Sequence, residues 1–280
     1  MRAVLSQGSL EVRFAPTSRP SHATELAAKA VADGADLVIA MGGDGTVNEV
    51  LNGMTPSKVP LAVIPGGTAN VFCCETGIPR NSEKAARQLP DWVEARVALG
   101  RIESHGLPAR CFLSMAGAGL DAAIVQRVEP GVKRRLGKLA YWSAGLRTFG
   151  EKLALVNVRA EGRDFVTGFA LTSRVRNYGG DLTIATKASL FADTFELVTF
   201  SGRSTVPYTV YLGGAVVGLT TKLPGVQSTL TQRVTLAAAN GGTVYVQVDG
   251  EAAGQLPATI ELIPSALTVL VPRWTTSPTR

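Results

Sequence analysis

The tightest constraint on this chain is a glycine bend between a buried-strand pattern and an amphipathic helix, read as DLVIAM, GGDG and TVNEVLNGM. DLVIAM is a short continuous apolar run, the pattern of a strand covered on both faces. In the following segment Val47, Val50, Leu51 and Met54 recur at i, i+3, i+4 and i+7, which predicts one buried helical face. Glycines at such a junction let backbone N–H groups converge on an anion. Asp44 is out of place beside phosphate unless a divalent cation intervenes. The bend therefore reads as a grip for a Mg²⁺-bound polyphosphate, with Asp44 acting on the metal directly or through water. PLAVIP followed by PGGTAN, residues 65–70, repeats the chemistry after the next strand. Either turn alone is as readily a tight loop without chemistry; two at one sheet edge make a floor and a wall for a nucleotide.

The first third alternates helix and strand signals. HATELAAKAVADGA predicts a helix with Ser21 available as its cap and Gly34 near its end. Strand, glycine turn, helix, strand is the order of a parallel α/β sheet. After about residue 95 come short β-type runs: RVALGRIES, ARCFLSMAG, LALVNVRAEG, DFVTGFALTS, DLTIAT, FELVTF, RVTLAAA, TVYVQVDG, ATIELIP and LTVLVP. Val244, Val246 and Val248 alternate with Thr243, Tyr245 and Gln247, the period of a half-buried strand. The pattern predicts an α/β domain over 1–95, a larger β-sandwich over 96–274, a cleft between them, and a frayed tail over 275–280.

An apolar share of 45% with 18% charged residues describes a globular chain. No apolar run reaches the roughly 18–20 residues that span a bilayer; the stretch from Tyr208 to Leu219 is broken by Gly213, Gly214 and Gly218 and reads as core. The opening residues lack the apolar core of a secretory signal, so a cytoplasmic location is expected. Cys73, Cys74 and Cys111 have no metal-ligand spacing and read as reduced thiols, and His22 and His105 are too isolated for a zinc centre. The net charge of +6 favours an anionic partner. Much of it sits in KRRLGKLAYWSAGLRTFGEK, residues 133–152, either an interfacial segment on an anionic membrane or a helix with one buried and one basic face. No nucleic-acid reader motif accompanies the charge.

Neither bend is a P-loop, and protein-kinase signatures are absent. GGDGTVNEVLNG with PGGTANVF resembles the lipid kinase family of diacylglycerol kinases, sphingosine kinases and their bacterial relatives. The similarity runs from TSRPSHATELA to the closing PSALTVLVP. The first motif alone is shared with NAD kinases and phosphofructokinases; Asn48, Glu49, Asn52 and the second turn make it specific. The resemblance implies an α/β nucleotide domain followed by a β-sandwich, with ATP and Mg²⁺ as cofactors and a lipid alcohol as acceptor. Its ATP site would use Thr17, Gly42, Gly43, Asp44, Gly45, Thr46, Val47 and Asn48 from the first half, and Gly66, Gly67, Thr68 and Asn70 from the second turn. Asp249 and Glu251 in VDGEAAG would return to the cleft, one as general base on the lipid hydroxyl and the other helping to hold the nucleotide–metal, with Asp249 the favoured base. Asp249-Gly250 is equally a good β-turn pair.

SLFADTFELV resembles the family's structural Mg²⁺ loop, in which Asp193 would ligate the ion and Leu190 and Phe195 would offer carbonyls. Thr194 stands where the family has glycine, and Asp181 and Thr186 are further departures. The family also opens with a strand and an Asn-Pro-x-Ser-Gly turn; here the sequence begins at what resembles the end of the following helix, and the expectation is that both are absent. Three readings compete with a lipid kinase. One is a soluble NAD-kinase-like enzyme, against which PGGTAN argues. Another is an inactive member with a lipid-binding or regulatory role. The third is a dinucleotide oxidoreductase using GAGLDA at 117–122, a weak match. The glycine-rich YLGGAVVGL suits a core or a homodimer contact.

Overall fold

A computed structural model describes residues 11–120, 153–179, 182–201 and 218–275, together with Leu5, Ala122, Tyr211 and 213–215. The basic stretch 133–152, Asp121 of GAGLDA, Asp181, most of the 208–217 run and the tail beyond Thr275 lie outside the described residues.

The N-terminal layer follows the predicted order. Helix α1 (His22–Ala32) leads to β1 (Val38–Gly42), α2 (Asp44–Met54) and β2 (Leu61–Pro65), then to α3 (Val71–Thr76) and α4 (Ser82–Gln88). β1 and β2 run parallel, with Val38 opposite Leu61 and Gly42 opposite Pro65. All five residues of β2 are buried, as its unbroken apolar run requires. Val47, Val50, Leu51 and Met54 of α2 are buried.

The cap of α1 differs from expectation. Ser21 has φ 64° and its side chain caps nothing. The Glu49 carboxylate on α2 instead accepts from the N–H groups of Ser21 (2.8 Å) and Ala23 (3.0 Å), and the Glu49 carbonyl accepts from the Thr24 hydroxyl. A negative charge at a helix N-terminus is stabilising, and here it also fixes α1 against α2. At that crossing a Cβ on Gly53 would lie 2.1 Å from the Thr24 carbonyl oxygen.

The remaining strands are β3 (Val93–His105), β4 (Leu107–Phe112), β5 (Met115–Gly119), β6 (Val156–Ala160), β7 (Arg163–Thr167), β8 (Phe169–Ser173), β9 (Asn177–Tyr178), β10 (Leu182–Thr183), β11 (Phe195–Phe200), β12 (Val226–Thr231), β13 (Arg233–Ala238), β14 (Tyr245–Val248) and β15 (Glu251–Val271). The main sheet path is β12-β11-β8-β5-β14-β15-β13-β6-β7. Its inner faces enclose a second core that includes Ile102, Phe112, Phe195, Val234, Val246 and Ile260. The Phe112 and Phe195 rings stack at 5.8 Å within it. Val244, Val246 and Val248 point inward as the alternation predicts, but Gln247 is buried too and accepts from the Gly250 N–H at 2.8 Å.

ATIELIP and LTVLVP, which read as two strands, are one. β15 continues through Pro264 by a register shift between Ile263 and Leu267, so the proline marks a bulge rather than an end. This 21-residue strand is the spine of the molecule: it pairs with β14 and β13, with β3 along its length, and at Val269 with Leu61 of β2. GAG of the GAGLDA pattern lies inside β5, between β14 and β8, and forms no phosphate-binding turn.

Gly53→Ala sets two effects against each other. Alanine gains about 1 kcal/mol of helix propensity, but its methyl must displace a backbone carbonyl, an overpacking cost of about 1–3 kcal/mol. The clash wins, so the variant should unfold at lower urea concentration than the parent; an equal or higher midpoint would show that the α1–α2 crossing relaxes freely.

Candidate active site

The two glycine turns are the C-terminal ends of adjacent parallel strands, the edge where open α/β sheets bind ligands. They also touch each other. The Gly66 N–H donates to the Gly42 carbonyl at 2.9 Å, and a Cβ on Gly67 would lie 2.5 Å from the Cα of Gly43. Backbone therefore meets backbone here, and part of the glycine requirement comes from the chain itself. Asn70 closes the second turn: its amide oxygen accepts from the Gly67 N–H at 2.9 Å and its NH₂ donates to the Gly67 carbonyl at 2.8 Å. The amides of Gly66 and Gly67 are thus used internally. The first turn of α2 has Gly43 as N-cap and no side-chain cap, and helix starts of this kind suit anions. Gly66, Gly67 and Thr68 are exposed, while Gly42, Gly43, Asp44, Gly45 and Thr46 are partly so. Val47 is buried and donates its N–H to the Gly43 carbonyl, and Thr17 lies on the exposed segment ahead of α1.

Asp44 opens α2 and its Oδ1 accepts from the Val71 N–H, 2.7 Å away at the start of α3. Asp249 and Gly250 have φ 48° and 80°, the two positive values of a tight β14–β15 hairpin turn. Asp249 is therefore both the predicted turn residue and a candidate site residue. Its Oδ1 accepts from the N–H groups of Ser114 (3.1 Å) and Met115 (2.9 Å). Its Oδ2 accepts from the Leu113 N–H (3.3 Å) and the Asn48 amide (2.9 Å). Burial pushes this carboxyl above its ordinary range; the bonds from Met115, Asn48 and Leu113 pull it back, and Asp44 adds a further upward push. Four donors on two oxygens are matched to an anion.

Glu251 is placed differently. Its side chain is 38% exposed, and its Oε1 lies 2.2 Å from where a Cβ on Gly45 would stand. Only glycine at 45 admits this carboxylate over the start of α2. Its Oε2 lies 3.4 Å from Nη2 of Arg110, which also donates to the Asn48 amide oxygen at 2.7 Å.

Asn48 is buried, and both ends of its amide are engaged: the NH₂ donates to the Cys111 carbonyl and to Asp249, and the oxygen accepts from Arg110. Asn52 pairs with the strand like another strand, donating to the Cys111 carbonyl at 2.9 Å and accepting from the Cys111 N–H at 2.8 Å. Asn48 thus reaches the site as the joint between α2, β4 and the β14–β15 turn. Arg110 and the amides of Leu113 to Met115 were not singled out from sequence; ARCFLSMAG shows only a β pattern, and nothing in it pairs an arginine with a glutamate 141 positions away.

Among the described residues no three His, Cys, Asp or Glu side chains converge to hold an ion. A divalent ion at Asp44 would need phosphate oxygens to complete its shell, the usual arrangement for Mg²⁺. The partly open approach to Asp44 and Glu251 fits such a nucleotide–metal. The second, structural ion does not fit. The fully buried Arg174 donates from Nη1 to the Ala192 carbonyl at 2.7 Å and from Nη2 to the Leu190 carbonyl, the oxygen that the resemblance gives to the metal. Burial lowers the Arg174 pKa to about 10, opposed by Asp193, so the group is cationic at neutral pH. Asp193 is exposed and Phe195 begins β11 opposite Thr231. Of the metal ligands that the resemblance implies, Leu190, Asp193 and Phe195, the Leu190 carbonyl is engaged by a guanidinium instead.

Residues 1–102 match the diacylglycerol kinase catalytic domain family, and residues 114–271 match the YegS C-terminal NAD kinase beta sandwich-like domain. The chain belongs to the diacylglycerol kinase-like family of lipid kinases. Its members are phosphotransferases with an alcohol acceptor. A diacylglycerol kinase of Mycobacterium tuberculosis is 29% identical over 257 residues, 90% of this chain and 82% of that protein. One of Bacillus subtilis is 28% identical over 273 residues, 95% of this chain and 88% of that protein. The crystal structure of a putative diacylglycerol kinase from Bacillus anthracis shares the fold with a TM-score of 0.78 at 23% identity, covering 93% of this chain and 84% of that one. The α/β domain followed by a β-sandwich is thus the family architecture. Kinase membership carries ATP and a divalent metal with it. Among the described residues no helix is long and apolar enough to cross a membrane, and Cys73, Cys74 and Cys111 are free thiols.

Asp249→Asn would turn one acceptor oxygen into an NH₂ facing backbone donors. It should cost about 1–3 kcal/mol of stability, seen as an earlier urea midpoint. Glu251→Gln, on a partly exposed side chain, should stay within about 0.5 kcal/mol of the parent. Equal midpoints for both variants would mean the amide cradle around Asp249 does not hold it.

Proposed function

We propose that the chain is an ATP- and Mg²⁺-dependent kinase that phosphorylates the hydroxyl of a membrane lipid of the diacylglycerol type. Transfer takes place in the crevice between the N-terminal layer (1–95) and the acceptor side (96–274), with 275–280 as a tail. The observation that carries the reading is the gathering of Asp44, Asp249 and Glu251 at the open strand ends of β1 and β2, beside an uncapped helix start.

Roles follow from what each residue has left to give. The first-turn amides of α2, from Gly43 to Thr46, face the phosphates, and Thr68 and Thr17 contribute hydroxyls from the exposed rims. Asp44 takes the metal side. When bound, the nucleotide–metal supplies the phosphoryl group and neutralises its charge. Asp249 has both oxygens committed to N–H donors, so it holds the hairpin turn and Asn48 in place. Glu251 is accessible and is the general base: its carboxylate would accept the hydroxyl proton as the alcohol oxygen bonds to the γ-phosphorus and the bond to the β–γ bridging oxygen breaks, releasing ADP. This reverses the preference drawn from sequence. Arg110, with Nη2 3.4 Å from Oε2, orients Glu251.

The acceptor chemistry is supported by family membership and by similarity to proteins named diacylglycerol kinase. The net charge of +6, with the basic stretch 133–152, supports peripheral contact with an anionic cytoplasmic membrane face.

Incubation with labelled ATP, Mg²⁺ and a panel of lipid alcohols or NAD should place label in the organic phase only. Glu251→Gln should lower kcat about 100–10,000-fold with the KM for ATP retained, whereas Asp44→Ala should also weaken nucleotide binding. Label on NAD would replace the acceptor, and undiminished turnover in Glu251→Gln would remove the base.

A further inference from the structure

The loop between β10 and β11 has no regular secondary structure, yet its carbonyls are ordered around one group. Leu190, Ala192 and Thr194 turn their carbonyl oxygens to the Arg174 guanidinium, through Nη2 for Leu190 and Nη1 for Ala192 and Thr194 at 2.7 and 3.3 Å. The carbonyl between them, of Asp193, points the other way and accepts from the Gln232 amide at 2.9 Å. Converging carbonyls of alternate residues are what a loop offers to a cation, since each oxygen left buried and unpaired is costly. Arg174 itself is anchored at the end of β8, where its N–H donates to the Ser114 carbonyl at 2.8 Å. Ser114 in turn donates its N–H to Asp249.

We infer that the guanidinium of Arg174 is the resident cation of the 189–195 loop, so that the loop orders without a divalent ion. The planar fork of an arginine can serve several carbonyls from a fixed position. A metal bound at the Leu190 oxygen would face a like charge at contact distance in a buried setting, which disfavours it strongly. The main-chain carbonyl of Thr194 is one of the three used. The divalent ion of the proposed transfer is then the nucleotide's alone. This inference concerns the loop and stands whether or not the proposed acceptor is correct.

The test uses the full chain without nucleotide. Metal content is measured by mass spectrometry after desalting, and Tm is measured in EDTA and in millimolar Mg²⁺ or Ca²⁺. The parent should have the same Tm in both and carry no stoichiometric ion. Arg174→Ala should lose about 5–15 °C and regain part of it with millimolar divalent ion, the gain disappearing when Asp193→Asn is added. If Arg174→Ala does not fold, Arg174→Lys should give a smaller Tm loss, because an ammonium serves fewer of the carbonyls. An EDTA-dependent Tm loss in the parent that Asp193→Asn abolishes would overturn the inference. So would a parental Tm in either Arg174 variant, or a folded Arg174→Ala that no divalent ion stabilises.

Discussion

The carboxylate of half-buried Asp249 joins stretches of chain that are far apart in sequence. It accepts from Asn48 on α2 and from three successive amides at the β4–β5 junction, while its own backbone makes the hairpin turn into β15. Removing a carboxylate from water is expensive, and only a full set of donors offsets that cost. The arrangement is therefore specific: the turn, the helix and the strand junction must all be in register before the charge is satisfied. Asn52 repeats the link one helical turn along α2 by pairing with Cys111. The result is that Glu251, two residues beyond Asp249, is delivered over Gly45 by a rigid support rather than by a loop.

The glycines show how one residue type can answer to two demands. Gly42, Gly43, Gly66 and Gly67 were read as space for a phosphate. The chain itself fills part of that space, since the two turns press backbone on backbone. Both demands come from the same geometry. Parallel strands that end together must turn away side by side, and only turns without side chains can do so while leaving the following helix start open. Gly45 is the separate case, for its missing Cβ makes room for the Glu251 carboxylate.

Much of the fold was legible because local patterns agreed with tertiary structure. Unbroken apolar runs became buried strands, and Val47, Val50, Leu51 and Met54 became the inner face of α2. What failed were features settled by distant partners. Ser21 has the chemistry of a cap, but Glu49 supplies it from another helix. Pro264 punctuates β15 without ending it, because neighbouring strands hold the register on both sides of the bulge. In the candidate site, motif positions single out Asp44, Asp249 and Glu251, but which of their oxygens are already taken up depends on who donates to whom. Arg110 had no local signal at all.

The same accounting of donors connects the two acidic residues with Arg174. At Asp249 a half-buried anion is surrounded by N–H groups; at Arg174 a buried cation is surrounded by carbonyls. Ser114 stands between them, giving its N–H to the first and its carbonyl to the backbone of the second. The two Asp249 oxygens have four N–H donors between them, whereas the Glu251 carboxylate is partly exposed. A carboxylate whose oxygens are taken up by N–H donors serves the frame, and one left accessible can take a proton. On our proposal the proton acceptor is Glu251, because a base needs an oxygen that a hydroxyl can reach before the proton moves.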